Sequence, residues 1–171
     1  PPAAFYSLRG GLREMVDAVV VRLERAQIWT KTGVLEDSGA ASGFALAVQG
    51  GETVSADQVI VAAPGPRVAP ALEGLLPEAA RALAAIPFAS SATVLLGYRR
   101  GDVAHPLNGY GMVVPQTEGL RTTALSFVST KFPHRAPEGR VLLRGFLGGV
   151  RDAKVMGLDD EEMVETVKRD M

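Results

Sequence analysis

The sequence predicts a mixed fold, between α/β and α+β, and three patterns predict it. Apolar side chains recur at helical spacing over 12–23 and again after Asp159. Strand-like runs separated by Gly- and Pro-rich turns fill 88–147. Strands that follow one another in this way, beside helices, are typical of a mostly antiparallel sheet with flanking helices.

The first part of the chain predicts one helix and two strands. Residues 12–23 (LREMVDAVVVRL) place their apolar side chains on one wide helical face. A short strand follows around 28–29, and residues 43–49 (GFALAVQ) put every second side chain, a large apolar one, on one face of a strand. The Gly-Gly pair at 50–51 predicts a two-residue hairpin turn.

A change of composition near 64–66 predicts a domain boundary. The continuous apolar run 59–63 (VIVAA) predicts a strand that is buried on both faces, and the Pro-Gly-Pro sequence at 64–66 ends it. Pro77 suits the first turn of the Ala-rich helix that follows. Pro87 stops that helix.

The second half predicts a sheet and a final helix. The predicted strands cover 88–98, 110–114, 122–129 and 140–147. Asp159 suits the N-cap of the helix, and Glu162 completes a capping box. Apolar side chains continue at helical spacing to Met171 without a Gly or Pro that would end the helix, and the chain does not begin with Met. We therefore expect these residues to be an internal piece of a longer protein.

The composition excludes several functions. The 171 residues contain no Cys and two His, and the formal charge is −1. The lack of Cys excludes disulfides, thiolate metal sites and a cysteine nucleophile. A His-rich metal site and nucleic-acid binding through phosphate contacts are both disfavoured. No apolar run is long enough to span a membrane and the N-terminus lacks a signal-peptide pattern, so we expect a cytoplasmic protein.

Two glycine motifs are weak candidates for cofactor loops. Gly10-Gly11 precedes a helix, where phosphate can bind, but the GxGxxG fingerprint is incomplete and a simple turn is favoured. Gly109-Tyr110-Gly111 leads into a strand and not a helix. Its glycines therefore favour a bulge or a close approach by another group.

The charged and aromatic candidates each have a structural alternative. The arginines that could meet an anionic ligand, although surface charge is favoured, are Arg99, Arg100, Arg140 and Arg144. His105 and His134 lie beside prolines in loops, where solvated side chains are favoured over metal ligands. The acids at 159–162 suit a helix N-terminus better than a catalytic pair. Phe146 suits either core packing or the face of a flat ligand.

Longer stretches carry a resemblance to a known family. The segments 7–23 (SLRGGLREMVDAVVVRL) and 56–66 (ADQVIVAAPGP) resemble flavin-containing amine oxidases. Later stretches narrow the resemblance: SSATVLLGYRR (90–100), HPLNGYGMVVP (105–115), SFVSTKFPHRAPEGRVLLRGFLGG (126–149) and RDAKVMGLDDEEMV (151–164). Together they resemble the protoporphyrinogen oxidase family, the oxygen-dependent FAD enzymes of haem synthesis, over essentially the whole chain.

The resemblance implies a glutathione-reductase-like FAD domain interleaved with a substrate domain. Residues 1–64 would be an internal segment of the FAD-binding domain, and residues 65–171 would be an incomplete substrate-binding domain. The implied reaction converts protoporphyrinogen IX to protoporphyrin IX with FAD as cofactor and O₂ as electron acceptor. The alternatives are a coproporphyrinogen III oxidase of the same family, another amine-oxidase relative and a non-catalytic porphyrin-binding module.

The resemblance also implies site residues. Phe146 matches an aromatic residue that stacks on the macrocycle, and Val113 matches one of two aliphatic residues that clasp it. The second aliphatic position falls at Ser126, which departs from the family pattern. Gly111 matches a small position where the ring passes close, and Val34 matches a residue whose backbone meets the adenine end of FAD. No position is assigned to acid–base catalysis, to a metal or to the propionate carboxylates.

The implied partners are a porphyrinogen and the rest of the protein's own chain. Because the GxGxxG loop is absent from the sequence, we expect the isolated 171 residues to bind FAD weakly at most and to be inactive. Relatives associate with membranes and dimerise, so a peripheral membrane location and a homodimer are both compatible with the resemblance. In the isolated chain we expect exposed apolar surface along 12–23 and 59–63.

Overall fold

The computed structural model describes residues 5–39 and 43–171. The helices are α1 (Arg13–Arg22), α2 (Gly65–Leu72), α3 (Pro77–Ala84), α4 (Val128–Lys131) and α5 (Asp160–Asp170). The strands are β1 (Val34–Gly39), β2 (Phe44–Val48), β3 (Thr53–Ala56), β4 (Ser91–Arg99), β5 (Gly111–Val113), β6 (Ala124–Phe127) and β7 (Arg140–Gly148). Residues 25–88 form one compact unit, and residues 5–24 with 89–171 form another. The mixture of helices and antiparallel sheets confirms the predicted fold class.

The unit formed by 25–88 holds a three-stranded antiparallel sheet in the order β1-β2-β3. Gly50 and Gly51 join β2 to β3 with φ angles of 113° and 86°. The predicted two-residue turn is wrong. Ala47 pairs with Thr53 and Val48 N donates to the Glu52 carbonyl, so the loop has three residues, 49–51. Gly51 N closes the loop by donating to the Val48 carbonyl, and a loop of this length has a position with positive φ that favours glycine. Helices α2 and α3 pack against each other, and α2 also packs against β1.

Two strands predicted in this unit are wrong. Neither Ile28 nor the run 59–63 belongs to a strand in the described part of the chain, and Ile60 is 93% exposed. Branched apolar residues favour extended backbone, but a strand also requires a neighbour that completes its hydrogen bonds. The sequence pattern predicts the first property and says nothing of the second.

Helix α2 begins where the sequence predicts only a break in the chain. Pro64 is its N-cap and Pro66 lies in its first turn. Backbone N–H groups have no intrahelical acceptor there, so proline is tolerated. Helix α3 begins at Pro77 in the same way and confirms the predicted Ala-rich helix. The division into cofactor and substrate domains at 64–66 stays a prediction.

Helix α1 confirms the helix predicted over 12–23, but none of its residues is buried. Leu12 is 66% exposed and Val21 is 78% exposed, and Ile60 and Val61 in the other unit are exposed as well. The exposed apolar surface expected along both segments is therefore present.

The unit that contains residues 89–171 is built on a four-stranded sheet in the order β4-β7-β6-β5. All neighbouring strands run antiparallel, which confirms the predicted sheet and its strands. Helix α5 follows it and begins at the predicted capping box. The Asp159 carboxylate accepts from Glu162 N at 2.8 Å, and the Glu162 carboxylate accepts from Asp159 N at 3.1 Å.

Helix α5 packs on one face of this sheet, here called the covered face. The buried cluster beneath the helix comprises Val94, Leu96, Leu147, Val155 and Val167. A second cluster on the same face comprises Leu107, Phe127, Val141 and Leu143. Gly145 lies directly under the helix, because a Cβ atom there would be 2.4 Å from Cγ1 of Val167. The absence of a side chain at Gly145 thus lets the helix approach the sheet.

Polar contacts join the segment before β6 to α5 and to the segment that precedes α5. Thr122 N donates to Oδ2 of Asp170 at 2.7 Å, and Arg121 Nε donates to Oδ2 of Asp152 at 2.6 Å. The hydrogen bond from Arg121 lowers the pKa of Asp152 below its usual range. The Thr122 hydroxyl is buried and has no hydrogen-bond partner among the described residues.

Candidate functional site

The sheet presents a second face, opposite α5, which we call the open face. Side chains alternate along a strand, so every second residue lies on this face. Its residues include Thr93, Leu95, Gly97, Arg99, Gly111, Val113, Ala124, Ser126, Arg140, Leu142, Arg144 and Phe146. All of them are half-buried or exposed, whereas most large side chains of the covered face are buried.

The four residues predicted to bind substrate all lie on the open face, in two neighbouring rows across the strands. In one row Phe146 is opposite Ala124, and Ala124 is opposite Val113. The next row holds Ser126 opposite Gly111. The strand register therefore brings together residues that are up to 35 positions apart in the chain, as Gly111 and Phe146 are. Their contact with a ligand stays a prediction.

The rows form a low platform between two larger side chains. Successive rows are about 6.6 Å apart along the strands, and neighbouring strands are about 4.8 Å apart. The central strand β6 contributes only Ala124 and Ser126 to this face, so the surface is lower there than at Phe146 or Val113. Val113 is 80% exposed. A flat apolar ligand on the platform would contact Phe146 at one side and Val113 at the other.

Gly111 is required by the backbone itself. Its φ is 139°, and a Cβ atom there would be 2.2 Å from the carbonyl oxygen of Leu125 on β6. The expected close approach at this glycine is therefore confirmed, and within the described residues it is made by the neighbouring strand. Passage of a substrate ring over Gly111 stays a prediction.

Hydrogen bonds from the segment before β6 hold Phe146 in place. Thr123 N donates to the Phe146 carbonyl at 2.8 Å, and the Thr123 hydroxyl donates to the same oxygen at 3.2 Å. The Ser126 hydroxyl lies 3.5 Å from the Tyr110 carbonyl, at the outer limit of a hydrogen bond. Ser126 therefore puts a weakly engaged polar group where the family pattern has an aliphatic side chain.

Two of the candidate arginines have opposite surroundings. The Arg100 guanidinium donates to the carbonyls of Val103, His105 and Pro106 at 2.7, 3.1 and 3.2 Å. It therefore organises its own loop. Arg144 is half-buried on the open face and makes no side-chain hydrogen bond or ion pair within residues 5–39 and 43–171.

The sequence carries a signal for the position of Arg144 that motif reasoning misses. Residues i and i+2 of a strand share a face, so Arg144 and Phe146 had to lie on the same side of any strand over 140–147. Register adds what the sequence does not show, which is that Arg144 lies opposite Ser126.

Two further candidates, His105 and Gly10, have structural roles. His105 Nδ1 accepts from Leu107 N at 2.9 Å and supports the positive φ of Leu107, so this histidine organises a loop. Gly10 N donates to the Glu14 carboxylate, so the turn before α1 is closed by its own helix. The described residues contain no group of three His, Asp or Glu side chains that could hold a metal.

Val34 lies in the unit formed by 25–88, at the start of β1. It borders an apolar cavity of about 290 Å³ whose other walls come from β2, the run 59–63 and α2. Arg67 is the one charged residue among the residues that line it. The cavity suits a flat apolar group more than a phosphate.

Comparison with known proteins gives consistent results. A family model described as flavin containing amine oxidoreductase matches residues 3–171. The coproporphyrinogen III oxidase of Bacillus subtilis is 32% identical over 98% of this chain and 35% of its own length. The chloroplastic protoporphyrinogen oxidase of Oryza sativa is 30% identical over 96% of this chain and 32% of its own length. The chain thus spans about a third of the length of these curated relatives.

The fold has a counterpart among solved structures. A crystallised protein from Exiguobacterium sp. 255-15, provisionally named protoporphyrinogen oxidase, superposes with a TM-score of 0.84 at 29% sequence identity. The match covers 99% of this chain and 36% of that protein. No helix in the described part of the chain is both long enough and apolar enough to cross a bilayer.

Proposed function

We propose, from the premise that this chain belongs to the flavin-containing amine oxidoreductase family, that the protein oxidises a porphyrinogen to the corresponding porphyrin. The proposed substrate is protoporphyrinogen IX, the cofactor is FAD and the electron acceptor is O₂. The observation that carries the proposal is the open face, where Phe146, Val113, Gly111 and Ser126 lie in two adjacent rows. The names of the relatives support the same substrate class.

The open face would contribute binding and orientation. A porphyrinogen is large and mostly apolar, so its affinity depends on buried area and on stacking. Phe146 would support the macrocycle from one side of the platform, and Val113 would limit its sliding at the other. Covering the face with substrate would also exclude water from it. This role for the open face does not require an acid–base pair.

FAD, when bound, would supply the hydride-accepting redox chemistry, used repeatedly on one substrate and re-oxidised by O₂ each time. The residues present fit one end of such a cofactor. Val34 and the apolar cavity beside it would hold the adenine. The sequence contains no GxGxxG loop for the pyrophosphate. We therefore keep the proposal that the isolated 171 residues retain FAD weakly at most and are inactive.

A specific observation favours coproporphyrinogen III as the second candidate substrate. Coproporphyrinogen III carries more carboxylates than protoporphyrinogen IX, which has vinyl groups in place of two of them. A site for it needs more cationic groups, and Arg144 supplies one on the open face. The Bacillus subtilis relative also has the coproporphyrinogen name.

The test uses the protein at its full natural length, purified with its flavin. Each porphyrinogen is supplied separately in air, and porphyrin fluorescence and oxygen uptake are recorded. We expect porphyrin to form from at least one of them and Phe146→Ala to raise KM by about 10- to 100-fold, since the side chain contributes most of the stacking area. A flavin-loaded protein that oxidises neither porphyrinogen would falsify the proposal.

A further inference from the structure

We propose that Arg144 binds a carboxylate of the porphyrinogen, and this inference rests on the proposed function. The open face then has two parts with different chemistry. Phe146 and Val113 hold the apolar ring, and Arg144 fixes the orientation of the ring about its own axis by engaging one acidic substituent.

The first argument is that Arg144 has no partner among the described residues. Its guanidinium makes no hydrogen bond or ion pair with any described residue, although the side chain is half-buried. A partly buried cation without a counter-charge costs stability, and the cost is offset when an anion binds. The carboxylates are the anionic groups of a porphyrinogen, and a carboxylate can accept two parallel hydrogen bonds from the planar fork of the guanidinium.

The second argument is the position of Arg144 relative to the ring. It precedes Phe146 by two residues, so their rows are about 6.6 Å apart on one face. A macrocycle stacked on Phe146 would extend over the low platform, and a substituent on its rim would reach the next row. In that row Arg144 lies opposite Ser126, and Ser126 lies opposite Gly111. Ser126 and Gly111 are small, so a carboxylate has room on the β6 side of the guanidinium, whereas Leu95 on β4 lies opposite Arg144 on the other side.

The third argument is that the other arginines of this sheet are worse placed. Arg100 is engaged by its own loop. Arg99 and Arg140 form a pair opposite each other at the far end of β4 and β7. Arg140 is on the open face and exposed, but it lies about 13 Å from Arg144 along the strand, farther from Phe146. It is therefore a matched control with the same charge, the same strand and the same face.

The experiment compares Arg144→Gln, Arg144→Lys and Arg140→Gln in the flavin-loaded protein at its full natural length. The substrates are coproporphyrinogen III, protoporphyrinogen IX and the methyl ester of each, which lacks the carboxylate charge. We expect Arg144→Gln to raise KM for a free acid by about 10- to 100-fold and to change KM for the ester by less than about 3-fold. Arg144→Lys should recover part of the loss, and Arg140→Gln should resemble the wild type.

Each result supports or overturns the assignment. An equal change for acid and ester, or an Arg144→Gln variant that resembles Arg140→Gln, would overturn it while leaving the proposed function intact. If the wild type oxidises neither porphyrinogen, the proposed function fails. The role of Arg144 is then tested by binding alone, by comparing how strongly the wild type and the same variants quench the fluorescence of coproporphyrin. If Arg144→Gln does not fold, Arg144→Lys decides, since loss of bidentate contact must raise KM for the acid more than for the ester.

Discussion

On strand β7, neighbouring residues meet opposite surroundings. Gly145 lies beneath α5 with Val167 so close that no side chain would fit between strand and helix. Arg144 and Phe146, on either side of it in sequence, lie on the open face, with the small residues Ser126 and Ala124 opposite them on β6. On the covered face the side chains of sheet and helix pack closely against each other. On the open face apolar and cationic side chains are not covered by another element. One strand therefore serves stability through one set of residues and, in our proposal, binding through the other.

The largest effect expected from this comparison is at the glycines of the two faces. Gly145→Ala would place its Cβ 2.4 Å from Cγ1 of Val167 and should lower the free energy of unfolding by about 3 kcal/mol. Gly97 lies on the open face of β4, where a Cβ would meet no atom within 4 Å. Gly97→Ala should therefore raise the free energy of unfolding by up to about 1 kcal/mol. Urea unfolding followed by circular dichroism measures both.

A double-mutant cycle identifies the cause of the loss at Gly145. If the collision with Val167 is responsible, Gly145→Ala should cost much less in a Val167→Ala background than in the wild type, because the two sites are in contact. Additive effects of the two substitutions would show that α5 does not rest on Gly145. Equal effects at Gly145 and Gly97 would remove the distinction between the faces.

The next effect concerns two adjacent threonines. The hydroxyl of Thr122 is buried without a partner among the described residues, so Thr122→Val should raise the free energy of unfolding by about 1 kcal/mol. Thr123 is the matched control, because its hydroxyl donates to the Phe146 carbonyl at 3.2 Å. Thr123→Val should lower the free energy of unfolding by about 1 kcal/mol. Thermal and urea unfolding check the sign, and a loss for both variants would contradict the assignment of an unpaired hydroxyl at Thr122.

The extent to which the sequence predicts the fold differs between the two units. The strands of the four-stranded sheet are bounded by Gly and Pro, and their alternation is local, so β4 to β7 and α5 could be predicted. The run 59–63 has the composition of a buried strand, but pairing depends on a neighbouring edge, which composition does not encode. Helix α2 was not predicted because Pro66 is compatible both with the end of a strand and with the first turn of a helix.

The candidate site is predictable in its parts and not in its arrangement. Phe146, Val113, Gly111 and Ser126 follow from a family resemblance, and the shared face of Arg144 and Phe146 follows from strand periodicity. That β6 separates β5 from β7, and thus puts small residues between Phe146 and Val113, depends on strand order. Strand order is set by contacts between distant segments, which a single sequence read locally does not reveal.

The smallest effect expected is the acid sensitivity of the ion pair between Arg121 and Asp152. The hydrogen bond from Arg121 lowers the pKa of Asp152, so the folded state binds this proton less readily than the unfolded chain. The stabilisation is therefore present above the unfolded pKa of about 3.9 and is lost as the pH falls through the lower folded value. Because both side chains are partly exposed, the effect is modest.

Asp152→Asn should lower the melting temperature at pH 6, and the difference from the wild type should shrink at pH 2.5, because the stabilisation decreases as the pH falls below the unfolded pKa of about 3.9. Glu138→Gln is the control, since Glu138 makes no ion pair within the described residues. It should keep the pH dependence of the wild type. Melting curves at the two pH values measure both variants. If the melting temperature of Asp152→Asn differs from that of the wild type by the same amount at both pH values, the pair stabilises the protein through packing and not through charge. Arg144 has no ion pair among the described residues, so the difference in melting temperature between Arg144→Gln and the wild type should be the same at both pH values.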